Sequence, residues 1–354
     1  MTFGRRIPVA VLGATGLVGQ RIVQRLASHP RLVVAEVVAS ARAEESDYGG
    51  VTDWALPEEM PDSLRHMRLK GAGEEVGSAL VLSALPGHVA ATVELALVEA
   101  GHVVCTNASA HRMRPDVPLI VPEVNPGMMR LVREQPWRAQ AGALIANPNC
   151  VVAGLALALA PIQKRWGVRG GCHRHPAGDV RCRSQWSERG FHVGERRPTH
   201  RGEAEKIPLE LNRILGITAT WSVAVNRVPV LDGHVAHVFL DLDRAAHPEE
   251  VEEELEKFRG PEPCASLASL PDAPLYLRRE DDRPKPRLDV GRGGGMTVTV
   301  AQVRRSPPHG LALTILVHTT VRGAAGACIA NAELAVEMGF VGRGFRMESR
   351  NARS

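Results

Sequence analysis

VAVLGATGLVGQRIVQRLASHP, residues 9–30, decides the fold. Residues 9–12 form a short apolar run of the kind a buried parallel strand needs. Gly13, Gly16 and Gly19 follow in a G-x-x-G-x-x-G pattern. In such a turn the first glycine allows the tight bend. The second lets the backbone approach a pyrophosphate, and the third lets the helix pack closely on the strand. A helix is expected to run to about Ser28, with Pro30 ending it. A glycine pattern alone is equally a plain turn; the strand before it and the helix after it turn it into a dinucleotide site.

The alternation continues outward from that turn. LVVAEVVAS (32–40) reads as the next strand and runs into Ala41-Arg42, where an NAD site would show an acidic residue for the ribose 2′-hydroxyl. Ser40 and Arg42 suit a 2′-phosphate, so NADP is the expected cofactor; the competing reading is a loop arginine in solvent. SALVLSALPGHVAATVELALVEAG (78–101) is another strand, loop and helix, and HVVCTNAS (102–109) another strand. Repeated strand–helix alternation specifies an α/β fold with a doubly wound parallel sheet, of Rossmann type. Its ligands bind at the carboxyl ends of the strands, here around residues 83–87 and 107–109.

Composition sets the outer bounds. The chain has 354 residues, long enough for two domains, and 44% are hydrophobic, as in an ordinary globular enzyme. Lys plus Arg is 43 against 39 for Asp plus Glu, a surplus too small to argue for nucleic acid. The apolar run after Arg6 is broken at once by glycines, unlike a signal peptide. VVAGLALALAPI (151–162) is too short to span a membrane and is expected to end at Pro161. The six cysteines lack the spacing of a disulfide framework and fit a reducing cytoplasm.

Chemistry concentrates in two places. In LIANPNCVVAGLALALAPI (144–162) a strand runs through Asn147-Pro148-Asn149 into Cys150, which opens a helix of small and apolar residues. A cysteine there sits near the positive end of the helix dipole and unpaired N–H groups, which favour the thiolate and could donate to an oxyanion. The bland alternative, a buried structural cysteine, is assigned to Cys105, Cys264 and Cys328. In NRVPVLDGHVAHVFLDL (226–242) the Asp232-Gly233 turn precedes His234 at a strand start. A histidine on a rigid turn can serve as acid/base, and Arg227 could grip a carboxylate bidentately. His234 is equally readable as a structural histidine, and His237 reads as a bystander.

With these residues in view the chain resembles the aspartate-semialdehyde dehydrogenase family, in its archaeal and fungal-type branch. The matching pieces are GATGLVGQR, ASAR, SALP, NASAHRM, DVPLIVPEVN, ANPNC, GEAEKI, NRVPVLDGH, DDRPKPRLD and VRGAAGACIANAEL, in family order over almost the whole length. The resemblance implies an NADP-binding domain over 1–149, an α+β catalytic and dimerisation domain over 150–322, and a last helix, about 323–340, that returns to the first. Cys150 is then the nucleophile, Asn149 shapes its site and His234 is the acid/base. Arg227 binds the substrate carboxylate, Glu203 its amino group, and Arg112 and Lys206 its phosphate. Gly13, Thr15, Gly16, Leu17 and Val18 cradle the cofactor phosphates, Ser40 and Arg42 the 2′-phosphate, and Ser83 and Asn331 lie along the nicotinamide. The implied reaction is NADPH-dependent conversion of aspartyl phosphate to aspartate semialdehyde through a Cys thioester, without a metal, in a cytoplasmic homodimer or homotetramer. Archaeal malonyl-CoA reductases share the scaffold, so that substrate stays open, as does a catalytically dead NADP-binding protein. N-acetylglutamyl-phosphate reductase is disfavoured by NRVPVLDGH together with GEAEK.

One stretch departs from the family. GGCHRHPAGDVRCRSQWSERGFHVGERRPTHRGE (170–203) stands where the family has a strand patterned T-L-Q-A-x-S-G-A-G-x-x-G-V, whose Gln positions substrate and thiol. Cys172, His173, His175 and Cys182 match no standard zinc spacing. A solvated basic loop would have to replace a core strand. Read from the second base of each codon, residues 175–183 allow T-L-Q-A-M-S-G-A-G, and Trp186 followed by Ser187 must give Gly. Residues 195–202 allow N-V-V-P-H-I-G-G in the same frame, and the length is unchanged. We read 172–201 as lying between two compensating frameshifts.

Overall fold

The computed structural model describes residues 6–39, 46–178, 202–228, 230–307 and 310–341, with backbone alone for 172–178, 226 and 227. Ser40, Arg42 and Cys182 lie outside the described residues, as do the side chains of Cys172, His173, His175 and Arg227.

The first sheet holds β1 (Ile7–Leu12), β2 (Leu32–Val38), β3 (Leu69–Lys70), β4 (Leu80–Ser83), β5 (Val103–Thr106) and β6 (Ala143–Ala146). Its order is β3-β2-β1-β4-β5-β6 and every pair is parallel. Strand order reverses between β1 and β4, the switch point at which such sheets bind ligands. Between the strands run α1 (Leu17–Ala27), the short α2 (Tyr48–Val51) and α3 (Asp62–Arg65), and α4 (Gly87–Glu99). β4, β5 and β6 are buried on both faces, so their sequences are continuous apolar runs rather than alternating ones.

The chain then enters α5 (Cys150–Trp166), β7 (Val168–Gly178), α6 (Glu203–Leu215), β8 (Thr220–Val228), β9 (His234–Leu242), α7 (Pro248–Lys257), β10 (Leu275–Arg278), α8 (Pro286–Asp289), β11 (Val298–Ser306) and β12 (Gly310–Val317). The second sheet is mixed, in the order β10-β11-β12-β9-β7-β8. A π-helical turn, Val321–Ala325, leads into α9 (Gly326–Glu337), which packs on β4 and β5 of the first sheet. The architecture is thus the α/β type expected, a doubly wound parallel sheet followed by a mixed-sheet half.

α5 runs through Pro161 to Trp166 instead of stopping at the proline. Pro161 gives up one i→i−4 hydrogen bond. Burial decides against a break, because Leu155, Leu157, Leu159 and Ile162 are sequestered in one core. Each such side chain is worth roughly 1.5–3 kcal/mol. Gly154 lets the helix close on β12; a Cβ there would come 2.8 Å from Val317 Cβ.

Candidate active site

Asn149 caps α5. Its Oδ1 accepts from the Val151 N–H at 3.0 Å, an interaction of about 1 kcal/mol, and the Cys150 thiol donates to the same oxygen at 3.8 Å. Cys150 is therefore the first residue of the helix and partly exposed. The π turn closes against it, since a Cβ on Gly323 would sit 2.5 Å from Cys150 Cβ. Cys105, Cys264 and Cys328 are buried. Desolvation pushes the Cys264 and Cys328 thiols up to about 12 and raises Cys105 as well, so the structural reading of those three stands.

Acidic and basic side chains converge on the capping residue. Glu203, at the start of α6, accepts from Asn149 Nδ2 at 3.4 Å. Glu210, two turns on, accepts from the Asn149 backbone N–H at 2.5 Å and from Arg112 Nη1 at 3.1 Å. Arg112 Nη2 donates to the Asn107 carbonyl at 2.7 Å, while Arg112 Nε is buried without a protein acceptor among the described residues. Lys206 is exposed near the start of α6. Glu210 was not singled out in the sequence. The available signal was its seven-residue spacing from Glu203, which puts both carboxylates on one helix face.

His234 opens β9 and is buried. Gly233 before it has φ +110° and donates its N–H to Thr319 Oγ1 at 2.9 Å, which fixes the Asp232-Gly233 turn. β7 lies between β8 and β9. Its Ala177 is opposite Arg227 on one side and His234 on the other. The backbone of β7 therefore brings these two residues to a single register position. His237, further along β9, shares a 3.0 Å hydrogen bond with Thr314 and stays apart.

The glycine turn is built for close approach. Gly13 has φ +68°, and a Cβ there would come 2.9 Å from the Ala84 carbonyl oxygen. A Cβ on Gly19 would overlap the Gly13 carbonyl oxygen, so α1 can lie on the turn only with glycine there. Gln20 Nε2 donates to the Thr15 carbonyl at 2.8 Å and Tyr48 Oη to the Ala14 carbonyl at 2.8 Å. Gly16 caps α1 with no side chain to occupy the N–H groups of its first turn, which begins at Leu17 and Val18. That leaves an anion-binding helix end, as a dinucleotide pyrophosphate requires. Next to it the strand ends are tied together. Asn107 Nδ2 donates to the Ser83 carbonyl at 3.0 Å, Asn147 Nδ2 to Asn107 Oδ1 at 2.9 Å, and Asn331 Nδ2 to Asn147 Oδ1 at 2.6 Å. Asn331 Oδ1 remains buried without a partner among the described residues.

A cavity of about 590 Å³ opens between α1 and the π turn, lined by Arg21, Arg25, Asp232, His318 and Val321 among others, and not by Cys150. Arg322, in the same turn, holds Glu123 bidentately at 2.7 and 3.1 Å, with both side chains buried. Removing one partner of such a pair costs roughly 3–5 kcal/mol. Among the described residues no group of three or more His, Cys, Asp and Glu side chains could hold a metal ion, and no helix is long and apolar enough to cross a membrane.

Two family models match the chain: the semialdehyde dehydrogenase NAD binding domain over residues 8–131, and the semialdehyde dehydrogenase dimerisation domain over 194–322. The aspartate-semialdehyde dehydrogenase of Methanothermobacter thermautotrophicus is 39% identical, over 94% of this chain and 99% of its own length. That of Archaeoglobus fulgidus is 36% identical, over 94% of this chain and 98% of its own. The malonyl CoA reductase (NADP) of Metallosphaera sedula is 28% identical, over 95% of this chain and 99% of its own. Among solved structures, aspartate semialdehyde dehydrogenase with NADP from Candida albicans superposes with a TM-score of 0.85. Its identity is 28%, covering 95% of this chain and all of that one.

Proposed function

The chain belongs to the aspartate-semialdehyde dehydrogenase family, and from that membership we infer that it is an NADP-dependent oxidoreductase forming L-aspartate 4-semialdehyde from L-aspartyl 4-phosphate. The observation that carries the reading is the placement of Cys150 at the first turn of α5, capped by Asn149, which Glu203 and Glu210 contact while Glu210 also pairs with Arg112. Matching the dimerisation-domain model, the chain forms oligomers; we assign a homodimer or homotetramer.

The residues divide the work as follows in this proposal. The Cys150 thiolate attacks the acyl carbon of the substrate, the bond to phosphate breaks, and a thioester forms on the sulfur. Arg112 receives the leaving phosphate; its buried Nε, without an acceptor among the described residues, supports that role, with exposed Lys206 assisting. Arg227 grips the substrate carboxylate and Glu203 its amino group. The glycine turn with Thr15, Leu17 and Val18 holds the cofactor pyrophosphate, Ser40 and Arg42 the 2′-phosphate, and Ser83 and Asn331 border the nicotinamide. When bound, NADPH would supply the hydride that reduces the thioester carbon before its bond to sulfur breaks. His234 holds the proton exchanged as the aldehyde leaves and Cys150 is released.

The register of β7 also supports the frameshift reading of 172–201. Pro176 falls inside an interior strand, two residues before its end, where it lacks an N–H for the ladder. Residue 177, where the shifted frame allows Gln, lies between Arg227 and His234. Sequencing the coding DNA across residues 165–205 decides it: stop codons or unrelated residues in the second frame would end the idea.

Activity is tested by mixing the protein with aspartate semialdehyde, phosphate and NADP, and separately with malonyl-CoA and NADPH. Phosphate-dependent NADPH formation in the first mixture is the expected result. Turnover only in the second favours the malonyl-CoA reductase reading that the Metallosphaera sedula relative motivates. With neither, Cys150 alkylation separates an enzyme stalled by its β7 segment from a binding module. A reactive thiol protected by substrate indicates the former, an inert one the latter.

A further inference from the structure

Glu210 carries a role beyond the residues assigned above. It is buried, and its two carboxylate oxygens serve two different segments. One takes the Asn149 backbone N–H and the other takes Arg112 Nη1. Arg112 belongs to the loop after β5 and Asn149 to the loop after β6, so one side chain of α6 sets the distance between them. Arg112 is steadied from its other side by the Asn107 carbonyl. Each terminal nitrogen is thereby engaged through one of its two N–H groups, and Nε has no acceptor among the described residues. Asn149 is likewise held at three atoms: its N–H by Glu210, its Nδ2 by Glu203, and its Oδ1 by Val151.

We propose that Glu210 is a positioning residue that holds the phosphate-receiving guanidinium and the nucleophile in register, and keeps the charge beside the nucleophile balanced. The proposal rests on the assignment of Cys150 and Arg112 made above. It has two consequences that differ in sign. Turnover needs the geometry, and misplacement of reacting groups by about an ångström costs on the order of 100-fold. Thiol reactivity responds to charge: a nearby carboxylate opposes thiolate formation, and removing it favours the thiolate.

Glu210→Gln keeps the shape, removes the charge and leaves one acceptor oxygen for two donors. It is expected to lower kcat by roughly 10- to 100-fold with KM for NADP unchanged. Alkylation of Cys150 by iodoacetamide at pH 7 is expected to speed up about threefold or more. Glu210→Asp keeps the charge, so its alkylation rate should stay at that of the parent chain while kcat falls. A side chain that merely packs would not raise thiol reactivity while lowering turnover. Alkylation rates for the Gln variant that match or fall below those of the parent overturn the proposal, as does an unchanged kcat. If the Gln variant does not fold, the Asp variant decides: a changed alkylation rate or an unchanged kcat refutes the role. The alkylation arm needs no turnover, so it also decides if the parent chain proves inactive, an outcome that counts against the assigned activity alone.

Discussion

Cys150 is set apart from Cys105, Cys264 and Cys328 by surroundings rather than by sequence neighbours. It is partly exposed and capped by Asn149, whereas burial raises the thiols of the other three. Cys150→Ser is expected to lower kcat by at least about 10⁴-fold, while NADPH binding followed by fluorescence stays within about twofold. Loss of cofactor binding in step with activity would show that the change damaged the fold instead. Cys150 and His234 could be found in the sequence because each opens an element after a recognisable turn. For Glu210 the sequence offers only its helix-face spacing from Glu203, because its partners lie 61 and 98 residues away and only tertiary structure brings them in.

α1 and its glycine turn were legible because their rule is local: strand, turn and helix are contiguous. Gly19→Ala puts a methyl group into the Gly13 carbonyl, so the helix must shift off the turn. The expected cost is roughly 1–3 kcal/mol of stability, with NADPH affinity reduced about tenfold or more. Gly50→Ala in α2, where a Cβ would meet nothing within 4 Å, is the control. It should gain up to about 1 kcal/mol, and equal losses of NADPH affinity in both variants would contradict the close-approach reading. α5 departs from the sequence expectation at Pro161, where burial outweighs one missing hydrogen bond. β7 was legible only through the family pattern, since its own residues, Pro176 included, argue against an interior strand.

The two halves meet where α1 packs on the π turn after β12, and His318 lines the cavity beside that contact. Desolvation, then the charges of Arg21 and Arg25, lower its pKa from 6.5 to about 4, and its Nδ1 accepts from the Thr320 N–H. The unfolded chain therefore binds a proton that the folded one refuses. His318 leaves stability untouched above pH 6.5, and subtracts about 3 kcal/mol as pH falls from 6.5 to about 4. His318→Gln should flatten that part of the curve in urea unfolding across pH, and an unchanged slope would refute it. Glu333 responds differently. Burial would raise it, but His29 and Ser269 prevail and hold it below the usual range, so its contribution is lost only at more acidic pH. The overall architecture followed from strand–helix alternation, but the meeting of the halves did not, because it depends on side chains such as Arg322 and Glu123 that are far apart in sequence. The close approach of Gly323 to Cys150 Cα and Cβ joins those halves one bond from the sulfur proposed as nucleophile. A trifluoromethyl tag placed on that sulfur would thus sit against the turn that leads into α9, and its resonance would report how the two halves are docked.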